Sequence, residues 1–422
     1  MSKYTHRKKC AGCNKYDLRV IVNLGFVPFV GEFPTEDELD RQTRWHLKLM
    51  FCDDCKLVQT DSIINPKVAF KNYKYLSSVS LSKHFNEVAD ILDKKYSVKD
   101  KHILEIGCND GVLLEPLCNL GAIAVGVDPS EKPIEVARQK GLNVHKGYFS
   151  YDTHKLFENK YDLVLANNSF AHIIDIHDVV KGVNHILKPN GDFIFEVHYL
   201  KSLFIDKQWD NIYHEHIYYY SLTALNNIFK QYDMTIIDYE IIPIHSGSIR
   251  VTVRNNKEEI PRKVINKIDL ESITICNLQY LNQYARDVKE HISDFNNVFD
   301  ELQNTHIGKK LLPRVFHKIA GYGASGRASI FCSMTELDNK DIKFVVDESP
   351  ERCGRYLSGT KIPIVDLEHL ENSDTTIILI FAWNYSKMII DKTKHLNCKY
   401  LVAFPKVQLV DSYEELEGFE SI

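Results

Sequence analysis

A short apolar strand that runs into a glycine-containing turn is the feature that most constrains the fold of this 422-residue chain. The strand is His102-Ile-Leu-Glu-Ile, and Gly107 and Gly111 bound the turn Gly-Cys-Asn-Asp-Gly that follows it. Asp128 ends the next apolar strand, at the distance of about twenty residues that is typical of nucleotide-binding units. Glycine lets a ligand approach the backbone, and the carboxylate can accept hydrogen bonds from two ribose hydroxyls. The pattern predicts a parallel α/β sheet with a cofactor at this turn.

Two further apolar strands, starting at Tyr161 and Gly191, extend the predicted sheet, with helical-length segments between them. The spacing of the turn and the aspartate also suits nicotinamide dinucleotides, but the loop reads Glu-x-Gly-x-x-x-Gly, which resembles motif I of class I methyltransferases. Asp162 and Leu187-Lys-Pro-Asn-Gly-Asp resemble the succeeding motifs of that family. This resemblance implies S-adenosylmethionine as the cofactor. The candidate cofactor-binding residues are Glu105, Gly107, Asn109, Asp110, Gly111, Asp128 and Asn167.

Two Cys-x-x-Cys pairs lie near the start of the chain, Cys10 with Cys13 and Cys52 with Cys55. Each pair places two thiolates on one tight turn, so that four sulfur atoms can surround a tetrahedral zinc ion in a small β-rich module. Because sulfur would fill every position, the pattern favours a structural site over a catalytic one. Four unrelated buried thiols are the alternative. A DNA-binding zinc finger is disfavoured because the segment lacks a basic recognition helix.

Alternating strands and helices resume near the end of the chain, after a polar stretch from about 256 to 310 that predicts one or two connecting helices. Gly321-Tyr-Gly323-Ala-Ser-Gly326 fits Gly-x-Gly-x-x-Gly between a strand and a helix, and Asp347 ends the next strand. Taken alone, this motif favours a nicotinamide dinucleotide. In the other interpretation, the amides at the helix start hold the phosphates of a substrate, and Arg327 adds positive charge.

The densest cluster of polar and aromatic side chains extends from Trp209 to Ser221 and contains Tyr213-His-Glu-His216. Two histidines, a glutamate and a tyrosine can supply a base, its orienting partner and a hydroxyl donor. The His-x-His pattern is also compatible with a metal site, and an inert surface loop is the remaining alternative. We favour a catalytic role for this cluster.

Composition narrows the class of function. Apolar residues make up 44% of the chain and charged residues 26%, which is ordinary for a globular protein. No apolar run approaches the length of about 18 to 20 residues that crosses a bilayer, and no apolar segment of a secretory signal follows the basic start. We therefore expect a cytoplasmic protein without a membrane partner. A net charge of −5 gives no global attraction for nucleic acid, which favours small-molecule chemistry.

An ordered set of motifs resembles the bacterial sugar C-methyltransferases, which add branched methyl groups to nucleotide-linked keto-deoxysugars. The resemblance spans nearly the whole chain. Its components are the two cysteine pairs, Tyr73-x-Tyr75-x-Ser-Ser78-x-Ser80, the Glu105 to Gly111 loop, Ala166-Asn167-x-x-x-x-His172-Ile, Tyr213-His-Glu-His216, His245-Ser-Gly-Ser-Ile-Arg250, Gly321-Tyr-Gly-Ala-Ser325, Val346-Asp-Glu-Ser-Pro-Glu-Arg-Cys-Gly-Arg-Tyr356 and Ala382-Trp-Asn384.

The resemblance implies a fold in which a class I methyltransferase domain, Rossmann-like, is flanked by an N-terminal zinc-binding β domain and a C-terminal Rossmann-like α/β domain. We place the zinc-binding domain at 1–72, the methyltransferase domain at 73–255, a helical connection at 256–310 and the sugar-nucleotide-binding domain at 311–422. The implied partner is a dTDP-, CDP- or GDP-linked sugar, and the implied state is a monomer or small homo-oligomer.

The resemblance also implies residue roles. A sugar carbon becomes a nucleophile only when a neighbouring ketone acidifies its hydrogen, so the reaction needs a base and a donor to the enolate. His216 is the expected base, and Glu215 is expected to orient it and to supply a neighbouring charge. Tyr213 and His172 are expected hydrogen-bond donors near the keto oxygen. Tyr75 is expected to line the same pocket. The candidate substrate-binding residues are Ser78, Ser246, Gly247, Ser248, Arg250, Gly323, Ser325, Arg327, Asp347 and Asn384.

Two segments depart from the pattern of this family. His245-Ser-Gly-Ser248 stands where His-Gly-Gly-Ser is expected, and Ala324-Ser-Gly-Arg327 stands where Ala-Ser-Ala-Lys is expected. Both lie where we expect the sugar nucleotide, so the identity of the nucleotide and the sugar stays open. We predict methyl transfer to carbon, with an O- or N-methyltransferase and an NAD-dependent sugar oxidoreductase as the alternatives.

Overall fold

The computed structural model describes residues 4–65, 76–153, 155, 157, 160–303 and 318–418. The predicted pocket residue Tyr75 and the predicted boundaries after residues 72 and 310 lie outside these ranges. The strands are β1 Tyr4–His6, β2 Leu18–Pro28, β3 Arg44–Cys52, β4 Val58–Thr60, β5 Ser62–Ile64, β6 His102–Ile106, β7 Ile123–Asp128, β8 Val144–Lys146, β9 Tyr161–Asn167, β10 Leu187–His198, β11 Tyr218–Tyr219, β12 Thr235–Ile242, β13 Ser248–Arg254, β14 Ile319–Tyr322, β15 Val345–Val346, β16 Ile364–Val365, β17 Ile377–Ile380, β18 Lys399–Val402 and β19 Gln408–Val410. The helices are α1 Ser78–Tyr96, α2 Leu114–Asn119, α3 Glu131–Gln139, α4 Ile176–Ile186, α5 Leu200–Ile205, α6 Leu222–Phe229, α7 Arg262–Ile273, α8 Leu278–Gln303, α9 Gly326–Thr335, α10 Leu367–Glu371 and α11 Ser386–Thr393.

The chain divides into two compact units. The first unit comprises Met1–Arg19, Met50–Leu200 and Ile217–Asn277, and the second unit comprises Val20–Leu49, Lys201–His216 and Leu278–Ile422. Each unit therefore draws on segments that are far apart in the sequence. The predicted domain boundaries stay predictions.

A seven-stranded sheet of order β12-β13-β10-β9-β6-β7-β8 forms the centre of the first unit. Strands β8, β7, β6, β9 and β10 run parallel, whereas β13 is antiparallel to both β10 and β12. This sheet confirms the predicted Rossmann-like α/β fold. The strand order reverses beside β6, and ligands of open parallel sheets bind outside the carboxyl ends of the strands at such a reversal. The turn after β6, which carries the predicted cofactor residues, lies there.

Helix α1 covers the sheet of the first unit with one apolar face. Leu81, Phe85, Val88 and Leu92 recur at spacings of three and four residues, and all four are buried in one cluster with strand residues such as Leu163. The helix ends where Ser97 adopts a left-handed conformation and its amide bonds to the carbonyl of Asp93. Short antiparallel pairs, β1 with β5 and β4 with β11, complete this unit.

A six-stranded sheet of order β16-β15-β14-β17-β18-β19 forms the centre of the second unit. Its strands are parallel except for the pair of β18 and β19, which is antiparallel. The order reverses beside β14, so the Gly321 to Gly326 loop and the Ala382 to Asn384 segment follow neighbouring strands. Helix α8 buries apolar side chains at helical spacing, among them Leu281, Val288 and Phe295. The predicted second α/β lobe is thus confirmed.

No helix in the described ranges combines the length and the apolar composition of a membrane span.

Candidate functional site

The four cysteines of the two Cys-x-x-Cys pairs converge in the first unit. Their sulfur atoms all lie within 4.8 Å of one another, with 3.4 Å between Cys10 and Cys55 and 3.5 Å between Cys13 and Cys52. A tetrahedral zinc ion with Zn–S bonds of about 2.3 Å holds its sulfur ligands about 3.8 Å apart. The cluster therefore matches the dimensions of one structural zinc site.

Neutral donors surround this sulfur cluster. The Gln59 side-chain amide donates to Cys10 Sγ at 3.1 Å, and the Gly12 backbone amide donates to the same atom at 3.3 Å. A side chain at Gly12 would place its Cβ only 3.1 Å from Cys55 Sγ. Such donors stabilise the negative charge that four thiolates bring to a zinc ion, so the surroundings also fit a metal centre.

The turn after β6 is held open by backbone geometry that glycine alone adopts readily. Gly107 has φ +76°, and a Cβ on it would lie 2.4 Å from Cβ of Ser169. Its amide bonds to the carbonyl of Val127, which ties the turn to β7. Asn109 also has positive φ, and its amide donates to Asp128 Oδ2 at 3.1 Å. The predicted cofactor residues of β6, its turn and β7 are therefore brought together.

Three buried carboxyl groups converge at this turn, and this arrangement suits a cationic ligand. Glu105, Asp110 and Asp128 are at most 6% exposed. Glu105 Oε2 and Asp110 Oδ2 are buried without a hydrogen-bond partner among the described residues. Asn167 ends the neighbouring strand β9, and its amide nitrogen likewise lacks a described partner. S-adenosylmethionine carries an ammonium and a sulfonium charge, so it can satisfy the unpaired carboxyl oxygens of this cluster.

Replacing Asp128 with alanine should weaken S-adenosylmethionine binding about 10- to 100-fold, because hydrogen bonds from ribose hydroxyls to a carboxylate are lost. The carboxylate already accepts the amide hydrogens of Asn109 and Ser130 and a hydrogen bond from the Ser130 side chain, but its two oxygens offer about four lone pairs, so acceptor capacity remains for a hydroxyl. Isothermal titration calorimetry measures the change, with the exposed helix variant Asp90→Ala as the control. Unchanged affinity in Asp128→Ala would place the ribose elsewhere.

S-adenosylmethionine binding should release a proton from Glu105. Burial raises the pKa of Glu105 well above its ordinary range, and the carboxyl groups of Asp128, Asp110 and Glu196 raise it further. At pH values below this raised pKa the group holds its proton in the free protein, and a cationic ligand favours the charged form. Affinity should accordingly rise with pH up to the free-protein pKa. Calorimetry in two buffers of different ionisation enthalpy measures the released proton, which Glu105→Gln should abolish; equal heats for the wild type would contradict this account.

In the second unit, the predicted base His216 and Tyr213 are in direct contact. The Tyr213 hydroxyl lies 2.7 Å from His216 Nε2, and the two rings are tilted by 31° with their centroids 3.9 Å apart. His216 Nδ1 lies 3.1 Å from the carbonyl oxygen of Asn211. A carbonyl can only accept, so Nδ1 carries a hydrogen, and in the neutral ring Nε2 then accepts from the Tyr213 hydroxyl. For the neutral imidazole, this arrangement therefore selects the tautomer with the lone pair on Nε2.

Glu215 and His214, between these two residues, are held by the 20–49 segment of the same unit. A Cβ on Gly31 would lie 3.2 Å from Glu215 Oε1, and the ring of buried His214 meets the Trp45 ring edge-on at 6.1 Å. Burial raises the pKa of Glu215 to about 8, and the charge of Glu32 adds to the rise. The carboxyl group therefore holds its proton at pH 7 and can donate a hydrogen bond. This protonated state differs from the negative charge beside His216 that was expected from the sequence.

The predicted substrate-binding residues of the first unit have varied surroundings. The Ser78 amide donates to Asp110 Oδ1, and Ser246 and Gly247 have positive φ just before buried Ser248. Arg250 donates from Nε to Glu196 at 2.8 Å and from Nη1 to Glu240 at 2.7 Å. Its charge is thus already paired. His172, a predicted donor, lies in a short 3₁₀ turn of this unit.

Arg250 belongs to a buried ionic group that the sequence did not reveal. Glu196 is fully buried and accepts from Arg250 and from His84 Nε2 at 2.8 Å. Burial raises the pKa of Glu196, but the hydrogen bond from His84 and the nearby positive charges lower it by more, so the net shift is downward. His84 lies on α1, Glu196 on β10 and Arg250 on β13. Because these elements are far apart in the sequence, no local motif predicts this ionic group.

In the second unit, the glycines of the Gly321 to Gly326 loop meet protein atoms. A Cβ on Gly326 would lie 2.7 Å from Val30 Cγ2, and one on Gly323 would lie 2.5 Å from Cβ of Ala382. Ser325 caps α9 by accepting from the Ala328 amide. Close packing within the unit therefore accounts for both glycines without a dinucleotide.

The charged residues beside this loop are paired. Asp347 accepts from the Ser349 amide and from Arg352 Nη1, which also donates to the carbonyl of Ala324. Arg327, which is predicted to face phosphate, makes a bidentate ion pair with Asp210, with both N–O distances at 2.9 Å. Asn384 lies in the 3₁₀ turn Trp383–Tyr385. Arg352 lies within the segment from Val346 to Tyr356, which is one of the family-like motifs. By contrast, no sequence motif indicated that Asp210 would be the partner of Arg327.

Three family models match successive parts of the chain. Residues 10–70 match the family described as "Putative zinc binding domain", residues 81–239 match "Methyltransferase domain", and residues 243–405 match "C-methyltransferase C-terminal domain". The zinc-binding match includes all four clustered cysteines. The methyltransferase match includes the turn after β6 and the segment from Tyr213 to His216.

Known proteins resemble the chain over different extents. C-methyltransferase NovU of Streptomyces niveus is 28% identical over 421 residues, which cover 97% of this chain and 98% of NovU. The ubiquinone biosynthesis O-methyltransferase of Coxiella burnetii is 32% identical over 110 residues, 25% of this chain and 46% of that protein. The structure of magnesium protoporphyrin IX methyltransferase from Synechocystis with bound SAM aligns over 42% of this chain and 80% of its own, with 15% identity and a TM-score of 0.33.

Proposed function

Because this chain belongs to the C-methyltransferases that combine these three domains, and is an S-adenosylmethionine-dependent enzyme with a structural zinc site, we propose that it methylates a carbon of a nucleotide-linked keto-deoxysugar. A methyl group on carbon requires a carbon nucleophile. A ketone next to the reacting carbon acidifies its hydrogen, and a base of suitable strength then generates the enolate. Surface-glycan or branched-sugar biosynthesis is the expected context.

The observation that carries this proposal is the hydrogen bonding of His216. Its Nδ1–H donates to the carbonyl of Asn211, so in the neutral ring the lone pair is on Nε2, next to the Tyr213 hydroxyl. A neutral imidazole with a fixed tautomer is a suitable general base near neutral pH. An acceptor that is already nucleophilic, such as a hydroxyl or an amine, has less need of such a base.

In the proposed reaction, His216 Nε2 takes the hydrogen from the carbon beside the ketone. The C–H electron pair moves into the enolate, and the Tyr213 hydroxyl turns from His216 to donate to the enolate oxygen. Glu215, protonated at neutral pH, is a second donor of the same segment. S-adenosylmethionine supplies the methyl group as an electrophile when bound.

A nucleotide-linked acceptor is supported by two features. The motif set resembles sugar C-methyltransferases along nearly the whole chain, and the second unit has a glycine loop at the reversal of its strand order, where α/β folds bind nucleotides. The backbone amides at the start of α9 suit phosphate. We propose a dTDP-, CDP- or GDP-linked sugar, and Ser325, Asp347 and Asn384 among its contacts.

Mass spectrometry of candidate acceptors tests the proposal. The full-length enzyme is incubated with S-adenosylmethionine and dTDP-, CDP- and GDP-linked keto-deoxysugars, together with the same nucleotides carrying the reduced hydroxy sugars as controls. The proposal expects one added methyl group, on carbon, in a keto sugar and none in the controls. Methylation of the hydroxy controls would favour an O-methyltransferase, and methylation of the matching amino sugars, tested in parallel, would favour an N-methyltransferase. Hydride transfer in a parallel incubation with NAD would favour the oxidoreductase.

A further inference from the structure

The turn that precedes His216 is fixed from both sides by side chains of the second unit. Trp209 to Asn211 form a single 3₁₀ turn, and all three residues are buried. The carbonyl of Asn211 is the group that accepts from His216 Nδ1–H. The position of this turn therefore determines which ring nitrogen of His216 carries the hydrogen.

Asp210, the middle residue of the turn, is only 1% exposed and accepts three hydrogen bonds. Arg327 donates from Nε and Nη2 at 2.9 Å each, and Trp383 donates from Nε1 at 3.1 Å. The Arg327 guanidinium also lies 4.7 Å above the Trp383 ring. A bidentate pair with an aromatic ring against the guanidinium is a rigid contact that fixes both distance and orientation. Asp210 is adjacent to Asn211, so this contact also fixes the accepting carbonyl.

Trp209 anchors the other end of the turn. Its ring stacks on Phe331 of α9 with centroids 5.2 Å apart, and its indole N–H donates to His291 Nδ1 at 3.0 Å. His291 of α8 in turn donates from Nε2 to the carbonyl of Ala403 at 2.8 Å. Because packing holds the Trp209 end of the turn, the ion pair at Asp210 restricts the remaining rotation of the turn.

We propose that Arg327 is a positioning residue for the base: by holding Asp210, it places the Asn211 carbonyl and keeps His216 in the tautomer with its lone pair on Nε2. This inference rests on the proposed function, in which His216 is the base. It gives Arg327 a role in kcat, whereas the phosphate contact expected from the sequence gives it a role in acceptor binding. The glycine-loop helix of the second unit thereby contributes to the chemistry without touching the reacting atoms.

The first test needs no acceptor. Nitrogen NMR of the full-length protein with labelled histidine, assigned by comparison with His216→Asn, reports which ring nitrogen of His216 is protonated. We expect one tautomer in the wild type, a mixture in Arg327→Met, and substantial recovery in Arg327→Lys, which retains a charged donor. The control is Lys387→Met, which removes an exposed ion pair with Asp391 in the same unit. The wild-type tautomer in Arg327→Met would overturn the inference.

The second test separates positioning from substrate binding. In Arg327→Met we expect kcat to fall about 10- to 100-fold, the loss expected from a misplaced catalytic group, with acceptor KM changed less than threefold and part of kcat restored by Arg327→Lys. A raised KM with normal kcat would return Arg327 to phosphate binding and overturn the inference.

A milder variant covers the case in which Arg327→Met does not fold because Asp210 is left as a buried, unpaired charge. Trp383→Phe removes one hydrogen bond to Asp210 and keeps an aromatic ring beside the guanidinium. It should mix the His216 tautomers to a smaller extent, and an unchanged tautomer would overturn the inference. If the wild type methylates no keto sugar but the tautomer results hold, the proposed function fails while the positioning of His216 by Arg327 stands.

Discussion

Replacing His216 with asparagine should lower kcat about 10²- to 10⁴-fold, the contribution typical of a general base, while S-adenosylmethionine binding stays within twofold of the wild type. Asparagine can still donate a hydrogen bond toward the Asn211 carbonyl, but its amide cannot accept a proton at neutral pH. The loss should therefore reflect chemistry rather than packing. Steady-state kinetics with the methylated acceptor and calorimetry with the cofactor measure the two effects.

The matched control is His395→Asn, which changes an exposed histidine of the same unit that pairs with Glu371. It should retain wild-type kinetics. A loss below tenfold in His216→Asn would be too small for a base and would assign His216 a role in shaping the pocket.

Cys55→Ser should reduce the zinc content well below the one ion per chain expected for the wild type, and should lower the free energy of unfolding by several kcal/mol. In small zinc domains the binding free energy of the metal, about 10–16 kcal/mol, is folding free energy, so losing one of four ligands has a large effect. Elemental analysis and thermal unfolding measure zinc content and stability. The loss of stability should lower the soluble yield more than it lowers the activity of the folded fraction.

Cys118→Ser is the control for this substitution, because Cys118 is a partly buried free thiol on α2 outside the zinc cluster. It should keep both zinc and stability. Normal stability of Cys55→Ser with selective loss of methyl transfer would instead indicate a catalytic metal, and wild-type protein without zinc would refute the metal site altogether.

The sequence predicted the first sheet well because its signals are local. Gly107 and Gly111 both adopt positive φ, as a turn that approaches a ligand requires, and Asp128 ends the neighbouring strand. All of these signals lie within two consecutive strands and the turn and helix that connect them. The cysteine cluster was predictable for the same reason, because each Cys-x-x-Cys pair forms its own turn.

The pairing of charged residues was not predictable from local sequence. Arg250 and Arg327 were both expected to meet a substrate, yet each bonds to a buried carboxylate, Glu196 and Asp210 respectively. Which carboxylate a long guanidinium side chain reaches depends on how distant segments pack. The grouping of Val20–Leu49 and Lys201–His216 with the C-terminal segment in one compact unit is likewise a property of long-range contacts. The accepting carbonyl of Asn211 had no signal because every residue has one.

Deuterium exchange into the acceptor tests the central claim most directly, because it detects removal of the carbon-bound hydrogen without methyl transfer. The wild-type enzyme, S-adenosylhomocysteine and a keto-sugar nucleotide that the enzyme methylates are incubated in deuterated water, and proton NMR follows the hydrogen beside the ketone. We predict enzyme-dependent exchange with the wild type and exchange no faster than the enzyme-free background with His216→Asn. Equal enzyme-dependent exchange in both proteins would contradict the assignment of His216 as the base.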